Sequence, residues 1–400
     1  MQNSEFTFEC GTCMAVANLW LRDNCMCPEC KVVLTQERQF QISSIDLDIK
    51  PNVIEIVNDV VNITWPDGHL TKYNGNDLRA FINPNKDFTN LGSLMSPPTK
   101  YDWKPWTKDF QPLRISLDKL LHDTDECILA LQEFMIHGVI IINNASSIPN
   151  SLERLSPVFG PIHEVLFERI HNVKLDPSNI PNINDDKAEN SVDCYNIAHT
   201  GLAVPPHNDF ASYTWNPSVQ CLHMLINNAD AGMSCVVDSW ETLTTMRKEE
   251  PELFNILCKF NVPYREFDEN NETYTEQPII RLDPTNGNIT GLRFSNQLMQ
   301  SINPLHPDAS LFYRAYHYLS CHIMGINEKD NSKMSDRRSF RLSSGEIIVV
   351  AAHRVLHARS HIEPTGLRHL QDAYFCHDNI RNKLSLLQRN CNGNKKRKSS

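Results

Sequence analysis

The segment Gly345–Ala352, with the sequence GEIIVVAA, is the clearest β-strand in this chain of 400 residues. A continuous apolar run that is rich in β-branched side chains is typical of a buried strand. The segment leads directly to Val355–Arg359, with the sequence VLHAR, which places a histidine just beyond the apolar run. The pattern therefore predicts a buried strand of a sheet, with His357 close to its end.

Shorter strand-like runs occur along the chain, and a few helical segments lie between them. Turn signals such as Pro66–Gly68 separate the predicted strands, which lie at Gln39–Ile42, Val53–Val57, Val61–Trp65 and Val139–Ile142. Apolar residues at helical spacing predict helices over residues 115–137, 241–258 and 305–325. Many short strands with a few covering helices predict a mainly β fold with helices (α+β), whose core is a double-stranded β-helix, or jelly roll.

The composition is that of a soluble globular protein and argues against two classes of partner. Hydrophobic residues make up 40% and charged residues 22% of the chain, and the formal net charge is −10. Nucleic acid is not favoured, because binding to phosphates needs a basic surface. No apolar run approaches the roughly 20 residues that cross a bilayer, and the first residues resemble neither a secretory signal nor a mitochondrial presequence. We therefore expect a cytoplasmic protein that binds neither nucleic acid nor a membrane.

The triplet His207-Asn208-Asp209 and the distant His357 are candidate metal ligands. Two imidazoles and one carboxylate form the facial ligand set of non-haem Fe(II) oxygenases, which leaves the opposite face of the ion open. On an extended segment His207 and Asp209 point the same way, because side chains alternate along a strand. A bare His-x-Asp triplet is equally compatible with a surface turn, so the prediction depends on the rest of the chain.

An oxygenase of this kind uses 2-oxoglutarate, whose distal carboxylate needs a cation. Arginine suits this role because its guanidinium group can bind a carboxylate through two parallel hydrogen bonds. Arg368 follows His357 by eleven residues, beyond a turn at Pro364–Gly366, and Arg359 is a second candidate. For either arginine the alternative is an ordinary surface ion pair.

A cluster of cysteines near the N-terminus predicts a second metal site. Five of the 13 cysteines lie within the first thirty residues, at Cys10, Cys13, Cys25, Cys27 and Cys30. In a reducing compartment such a cluster favours metal binding over disulfides. The last three offer thiolates on one tight turn, and a structural zinc site needs a fourth ligand. His69 is the candidate, and the Cys10–Cys13 pair is the alternative.

These motifs resemble those of the γ-butyrobetaine dioxygenase and trimethyllysine dioxygenase family, which are iron- and 2-oxoglutarate-dependent hydroxylases of carnitine biosynthesis. The likeness runs from about Trp20 to Tyr374 and includes the N-terminal signature Trp20–Cys30, His207–Asp209, Val219–His223, Val237–Asp238, Arg354–Arg359, Arg368–Leu370 and Asp372–Tyr374. The resemblance implies Fe(II) at His207, Asp209 and His357, 2-oxoglutarate at Arg368 beside Leu222, and structural zinc at Cys25, Cys27, Cys30 and His69. It also implies ascorbate as a reductant and a homodimer.

The resemblance further implies a cage of aromatic rings for a trimethylammonium group, since ring faces attract a cation. The corresponding positions in this chain are occupied by Phe167, His171, His199, Phe210 and Tyr374. Two of these rings are imidazoles, and Tyr195, Tyr213 and Trp215 are nearby aromatic residues that could compensate. Asn296 corresponds to the position that holds the substrate carboxylate.

The predicted organisation is a β-rich zinc-binding N-terminal domain (residues 1–95), a jelly-roll dioxygenase domain (residues 96–385) and a basic disordered tail (residues 386–400). The predicted activity is hydroxylation of an unactivated C–H bond in a small betaine. γ-Butyrobetaine, which would give L-carnitine, is favoured over trimethyllysine by the lack of a presequence and by residues 196–203. Alternatives are a paralogue acting on another small amine or carboxylate, an inactive binding protein, and an adaptor whose zinc domain recruits a partner.

Overall fold

The computed structural model describes residues 2–32, 37–80, 103–178, 197–267, 270–325, 337–363 and 365–398. The chain divides into two compact units, Met1–Lys100 and Tyr101–Ser400. The predicted boundary between residues 95 and 96 lies outside the described residues, as does Tyr195. Within the described ranges, no helix has the length and apolar character needed to cross a membrane.

The first unit contains a β-hairpin, a three-stranded antiparallel sheet and two short helices. Their bounds are Asn3–Thr7 (β1), Cys13–Ala17 (β2), Asn18–Asp23 (α1), Val53–Val57 (β3), Val60–Thr64 (β4), Leu70–Asn74 (β5) and Gly75–Ala80 (α2). Along β4 and β5 the more buried side chains alternate with the less buried ones, so one face of the sheet packs inward. Val61, Ile63 and Tyr73 lie on that face and share a core with Leu21 and Trp65.

The second unit is built on β-sheets with helices packed around them. Its strands are Leu113–Ser116 (β6), Val139–Asn143 (β7), His171–Leu175 (β8), Val204–His207 (β9), Val219–Asn227 (β10), Asp230–Ala231 (β11), Ser234–Asp238 (β12), Val262–Phe267 (β13), Glu272–Gln277 (β14), Ile280–Leu282 (β15), Ile289–Leu292 (β16), Arg338–Phe340 (β17), Glu346–Ala351 (β18), Val355–Arg359 (β19), Ile362–Glu363 (β20) and Arg368–Phe375 (β21). Its helices are Leu117–His122 (α3), Thr124–His137 (α4), Ser156–Phe159 (α5), Ser239–Glu249 (α6), Pro251–Lys259 (α7), Ala309–Met324 (α8) and His377–Lys398 (α9).

Two of the sheets form the centre of this unit. The larger has the strand order β6-β7-β18-β10-β21-β8, and the smaller has the order β17-β12-β19-β9. Val350 of the larger sheet shares a buried cluster with Val236 and Val355 of the smaller sheet. The two sheets thus pack face to face, which is consistent with the predicted jelly roll.

The strand that the sequence predicts at Gly345–Ala352 is confirmed as β18, which lies between β7 and β10. Ile347 and Val349 belong to the cluster under the helices, whereas Ile348 and Val350 belong to the cluster between the sheets. Since both faces are covered, both sets of alternating side chains are apolar, which explains the unbroken apolar run.

Two of the predicted helices are each broken by a single residue. The segment 115–137 contains α3 and α4, because the Asp123 carboxylate accepts hydrogen bonds from the backbone N–H groups of Asp125 and Glu126 and so starts a new helix. The segment 241–258 breaks at Glu250, because Pro251 has no N–H and begins α7. The third prediction, 305–325, is confirmed as α8.

Two predictions differ from the structure. Gln39–Ile42 is not a strand, since Ile42–Ser44 forms a short 3-10 turn; a four-residue alternation was too short to define one. The helix α9 reaches Lys398 and so covers most of the predicted disordered tail. Ile380, Leu384 and Leu387 pack one face of the first part of this helix against the core.

Candidate iron and cosubstrate site

His207 and His357 are direct neighbours across two antiparallel strands. His207 ends β9, His357 lies in β19, and the pairing places them opposite each other. Their ring centroids are 4.3 Å apart. Cross-strand pairing thus brings together two imidazoles that are 150 residues apart in sequence.

The third predicted ligand lies at the same point. Oδ1 of Asp209 is 3.1 Å from Nε2 of His207 and 3.8 Å from Nε2 of His357. One ligand atom from each residue lies within 4.8 Å of the other two. The structure therefore brings the three predicted iron ligands together, and two nitrogens with one oxygen suit a facially bound ferrous ion.

The turn that carries Asp209 is held by the residue between the ligands. The buried side chain of Asn208 donates to the carbonyl oxygens of Leu292 (2.6 Å) and Ala352 (3.1 Å) and accepts from the N–H of Phe294 (2.9 Å). Phe210 follows with a φ of 52°, in the left-handed region. Asn208 therefore fixes the direction in which the chain leaves β9, and its role was not predicted from the sequence.

Hydrogen bonds, burial and nearby charges favour the ligand states that can bind a cation. Nδ1 of His207 lies 2.9 Å from the carbonyl oxygen of Pro205, which leaves the Nε2 lone pair for a metal. Burial, together with the nearby His207, lowers the pKa of His357 to about 4, so this imidazole is neutral at pH 7. Burial opposes ionisation of Asp209, but the two imidazoles and the Tyr374 hydroxyl hold its pKa below the usual range.

A buried polar network supports the other oxygen of Asp209. Oδ2 accepts from Nε2 of Gln220 and from the hydroxyl of Tyr374, both at 2.6 Å. The same two groups lie 3.4 Å and 3.0 Å from Oδ2 of Asp372. Burial, and then the charge of Asp209, raises the pKa of Asp372 to about 7. Because Oδ2 is held in this way, Oδ1 of Asp209 is the oxygen that faces the imidazoles.

The arginine predicted to bind 2-oxoglutarate is buried at the cavity wall. Arg368 is 3% exposed and lines the cavity, and its side chain forms no hydrogen bond or ion pair with any described residue. Burial lowers its pKa to about 9, which leaves it a cation at neutral pH. Arg359 also lines the cavity, but its guanidinium donates to the carbonyl oxygens of Ala198, Thr200 and Leu202. The geometry thus favours Arg368 over Arg359 as the carboxylate anchor.

The cavity between the two sheets has a volume of about 160 Å³ and is lined by all three candidate ligands and by Leu222. Four of the five predicted cage residues line it too: Phe167, His171, Phe210 and Tyr374. Centroid distances of 5.1 to 5.7 Å join Phe167 to His171, Phe167 to Phe210, and Phe210 to Tyr374. His199 lies at 5.4 Å from His171 and is not part of the lining.

Three other residues that the sequence predicted near the substrate do not line the cavity. Asn296 is exposed and accepts a hydrogen bond from the Tyr316 hydroxyl at 3.0 Å, whereas its neighbours Ser295 and Gln297 line the cavity. Trp215 is 78% exposed and does not compensate for a missing cage ring. Tyr213 packs on Phe210 at 4.7 Å and so supports the cage from outside.

Three further residues of the site were not predicted from the sequence. Gln220 is a polar residue in the mainly apolar strand β10, which is the signal that could have revealed it, whereas Asp372 lies in β21 among several other polar residues. Arg293 is buried and donates to the carbonyl oxygens of Ala211, Tyr213 (2.6 Å) and Thr214 (3.1 Å). It therefore holds the loop that follows Asp209.

The first unit contains a second group of converging ligands. Nε2 of His69 lies 3.2 Å from Sγ of Cys25 and 3.5 Å from Sγ of both Cys27 and Cys30. The turn that ends at His69 is closed by a hydrogen bond from the N–H of Trp65 to the His69 carbonyl at 2.9 Å. Cys10 and Cys13 are exposed and lie outside this group. The four predicted zinc residues thus meet at one point.

Known proteins resemble the chain over nearly its whole length. The Gamma-butyrobetaine hydroxylase-like, N-terminal family matches residues 2–79. A gamma-butyrobetaine dioxygenase of Pseudomonas sp. (strain AK-1) is 27% identical, covering 93% of this chain and 90% of that protein. A mitochondrial trimethyllysine dioxygenase of Mus musculus is 24% identical, covering 94% and 84%. A solved taurine dioxygenase structure from Burkholderia xenovorans has a TM-score of 0.44 at 13% identity, covering 66% of this chain and 89% of that one.

The larger family match concerns the second unit. The Taurine catabolism dioxygenase TauD, TfdA family matches residues 102–374, which is more than half of the chain. The matched region contains His207, Asp209 and His357, the cavity beside them, and Arg368. The chain therefore belongs to the taurine catabolism dioxygenase TauD, TfdA family.

Proposed function

We propose that this dioxygenase binds Fe(II) through His207, Asp209 and His357 and hydroxylates γ-butyrobetaine to L-carnitine with 2-oxoglutarate as cosubstrate. The observation that supports this most directly is the convergence of three ligand atoms within 4.8 Å of one another, beside a cavity lined by Arg368, whose guanidinium has no partner among the described residues. A buried cation without an anionic partner is unfavourable, so the cavity is suited to a carboxylate ligand.

Different residues of the cavity would bind the cosubstrate and the substrate. When bound, Fe(II) and 2-oxoglutarate supply the oxidising chemistry, in which O2 and 2-oxoglutarate yield succinate, CO2 and a hydroxylated substrate. Arg368 would hold the distal carboxylate of 2-oxoglutarate, with Leu222 beside it. The rings of Phe167, Phe210 and Tyr374 would exclude water and face the cationic end of the substrate.

Trimethyllysine is the second candidate substrate. The trimethyllysine dioxygenase of Mus musculus aligns with as much of this chain as does the γ-butyrobetaine dioxygenase of Pseudomonas, 94% against 93%. Both substrates carry a trimethylammonium group, so the ring wall alone does not separate them.

We also propose that Cys25, Cys27, Cys30 and His69 hold a structural zinc ion in the first unit. Bonds of about 2.3 Å to sulfur and about 2.0 Å to nitrogen, at tetrahedral angles, place these atoms roughly 3.5 Å apart. The sulfur–nitrogen distances of 3.2 to 3.5 Å are close to that value. Such a site stabilises a small unit, because metal binding contributes to its folding free energy.

The domain boundaries, a homodimer, a cytoplasmic location and ascorbate as reductant remain predictions.

The iron assignment also predicts which histidine is essential for turnover. His361 is a matched control for His207, since it is an exposed imidazole in the same unit, with 55% of its side chain accessible.

The proposed function is tested by incubating the protein with Fe(II), 2-oxoglutarate and a panel that contains γ-butyrobetaine, trimethyllysine and related amines. We expect one substrate to gain the mass of one oxygen atom in step with succinate release. His207→Ala should abolish both products, whereas His361→Ala should retain them. Succinate release at the parental rate by His207→Ala would contradict the iron assignment.

A further inference from the structure

Arg22 lies beside the four candidate zinc ligands and contacts one of them directly. It belongs to α1, and its Nη1 donates a hydrogen bond to Sγ of Cys30 at 3.3 Å. Only 13% of the Arg22 side chain is accessible, and Cys30 is 2% exposed. A cationic donor held beside a buried sulfur favours the thiolate, which is the form of cysteine that binds a metal.

The same guanidinium is connected to a second candidate ligand through Asp67. Nη2 of Arg22 donates to Oδ2 of Asp67 at 3.3 Å, and Oδ1 of Asp67 accepts from the backbone N–H of His69 at 3.0 Å. Asp67 and His69 lie in the turn between β4 and β5, whereas Cys30 lies on the cysteine turn that follows α1. Arg22 thus joins the two parts of the chain that supply the ligands, which prepares the site for a metal.

The charge of the proposed site explains why a cation belongs there. Three thiolates and a neutral imidazole around Zn²⁺ leave the cluster with one excess negative charge. A buried charge is unfavourable unless a group of opposite charge lies beside it. Arg22 supplies that positive charge at hydrogen-bond distance from Cys30, and its guanidinium also lies over the ring of Phe40, at 5.3 Å from the centroid.

The alternative is that Arg22 serves only as the partner of Asp67 in a surface ion pair. Because 54% of the Asp67 side chain is accessible, that pair by itself would contribute little to stability. The contact with the buried sulfur of Cys30 is what distinguishes a role at the metal site from an ordinary ion pair.

We propose that Arg22 is a positioning residue of the zinc site, which stabilises the Cys30 thiolate through a charge-assisted hydrogen bond and orients His69 through Asp67. This inference rests on the proposed zinc site and deepens it, because it assigns the retention of the metal partly to a residue that is not a ligand. Loss of such an outer partner typically weakens metal binding by about 10- to 100-fold.

The test measures the zinc dissociation constant of the full chain by competition with a chromophoric chelator at fixed pH. Arg22→Met retains an unbranched side chain and removes the charge and the donors, so we expect the Kd for zinc to rise by about 10- to 100-fold. Arg79→Met is the matched control in the same unit. Arg79 also forms an ion pair with an aspartate, since its Nη2 lies 2.7 Å from Oδ2 of Asp59, but it lies outside the ligand cluster. It should retain the parental Kd.

A second measurement separates a direct effect on the metal site from a general loss of stability. Co(II) in place of zinc gives an absorption band in which charge moves from the thiolates to the metal. A hydrogen bond stabilises the lone pairs of the Cys30 sulfur, so its loss in Arg22→Met should move this band to longer wavelength, whereas Arg79→Met should leave it in place. Arg22→Lys retains the charge but not the planar fork that reaches both Cys30 and Asp67, so we expect a smaller rise in Kd and a smaller shift of the band.

A parental Kd in Arg22→Met would overturn the inference, whatever the position of the band. A higher Kd with the band unmoved would overturn it too, because a general loss of stability has that effect. If Arg22→Met does not fold, Arg22→Lys is judged by the same two criteria. The proposed zinc site fails separately: a parent protein that binds neither zinc nor Co(II) would contradict that site, whereas equally tight zinc binding by the parent and both Arg22 variants would contradict only the role of Arg22.

Discussion

Arg354 and Asp238 form a buried ion pair with two parallel hydrogen bonds, in which Nε lies 2.9 Å from Oδ1 and Nη2 lies 2.8 Å from Oδ2. Asp238 ends β12, and Arg354 immediately precedes the strand that carries His357. The guanidinium also donates to the carbonyl oxygens of Ile136 (2.7 Å) and Lys104 (2.6 Å). One side chain thus joins the smaller sheet to the end of α4.

Replacing Arg354 with methionine should strongly destabilise the second unit. The change leaves the buried Asp238 carboxylate without its cationic partner, although the N–H groups of Trp106 and Trp240 still donate to it, and loss of one member of a buried ion pair typically lowers the free energy of unfolding by about 3–5 kcal/mol. Denaturant unfolding measures the loss. Arg381→Met is the control, because Arg381 pairs with Asp378 on the surface, and such pairs contribute about 1 kcal/mol or less. Equal effects of the two variants would show that the buried pair is not a special contributor to stability.

Arg368 should determine the affinity for 2-oxoglutarate. Arg368→Met removes the cation and should raise the KM for 2-oxoglutarate by roughly 10- to 100-fold, the equivalent of one charge-assisted interaction. Arg368→Lys retains the charge but not the planar fork, so we expect an intermediate KM. Steady-state kinetics at saturating amine measures both values. If neither variant changes the KM, another residue anchors the cosubstrate, and Arg359 would be the next candidate.

The cysteine cluster should account for one zinc ion per chain. Cys27→Ser removes one of four ligands, and we expect zinc content to fall and the first unit to unfold more readily, because metal binding contributes to folding. Cys13→Ser is the control, since Cys13 is exposed and lies outside the cluster. Elemental analysis of the purified proteins gives the metal content. Zinc retained by Cys27→Ser and lost by Cys13→Ser would assign the site to the other cysteine pair.

His223 should make the fold sensitive to acid. It lies fully buried in β10, neither ring nitrogen has a partner among the described residues, and burial lowers its pKa to about 4. The unfolded value is about 6.5, so between these two pH values the unfolded chain binds the extra proton and the folded chain does not. Protonation therefore favours the unfolded chain in this range. The free energy of unfolding is unaffected by His223 above about pH 6.5 and decreases as the pH falls toward 4, by up to about 3 kcal/mol.

His223→Leu tests this origin of the acid sensitivity. Because leucine does not titrate, the free energy of unfolding should fall less steeply between pH 6.5 and pH 4 than it does in the parent. His122→Leu is the control, since His122 is on the surface, with 70% of its side chain accessible. Identical pH profiles for the parent and His223→Leu would contradict the prediction.

Local sequence patterns were sufficient to predict a strand or a helix where the same pattern continues along the whole element. The apolar run within Gly345–Ala352 predicted a strand, which the structure has at Glu346–Ala351, and the spacing over residues 305–325 predicted a helix, which it has at Ala309–Met324. Patterns failed where one residue changes the local preference. The apolar spacing continues from α3 into α4, but Asp123 caps the start of a new helix between them. Pro251 likewise starts α7 within a second predicted helix.

The sequence by itself determined the chemical types of the site: two imidazoles, a carboxylate, an arginine, and a cysteine cluster with a histidine. Only the tertiary structure decided which atoms meet. The register of β9 on β19 places His207 opposite His357, and the adjacent β10 and β21 bring Gln220 and Asp372 together beneath Asp209. Register depends on how the whole apolar faces of the two sheets pack, which is a property of distant segments and not of any local pattern.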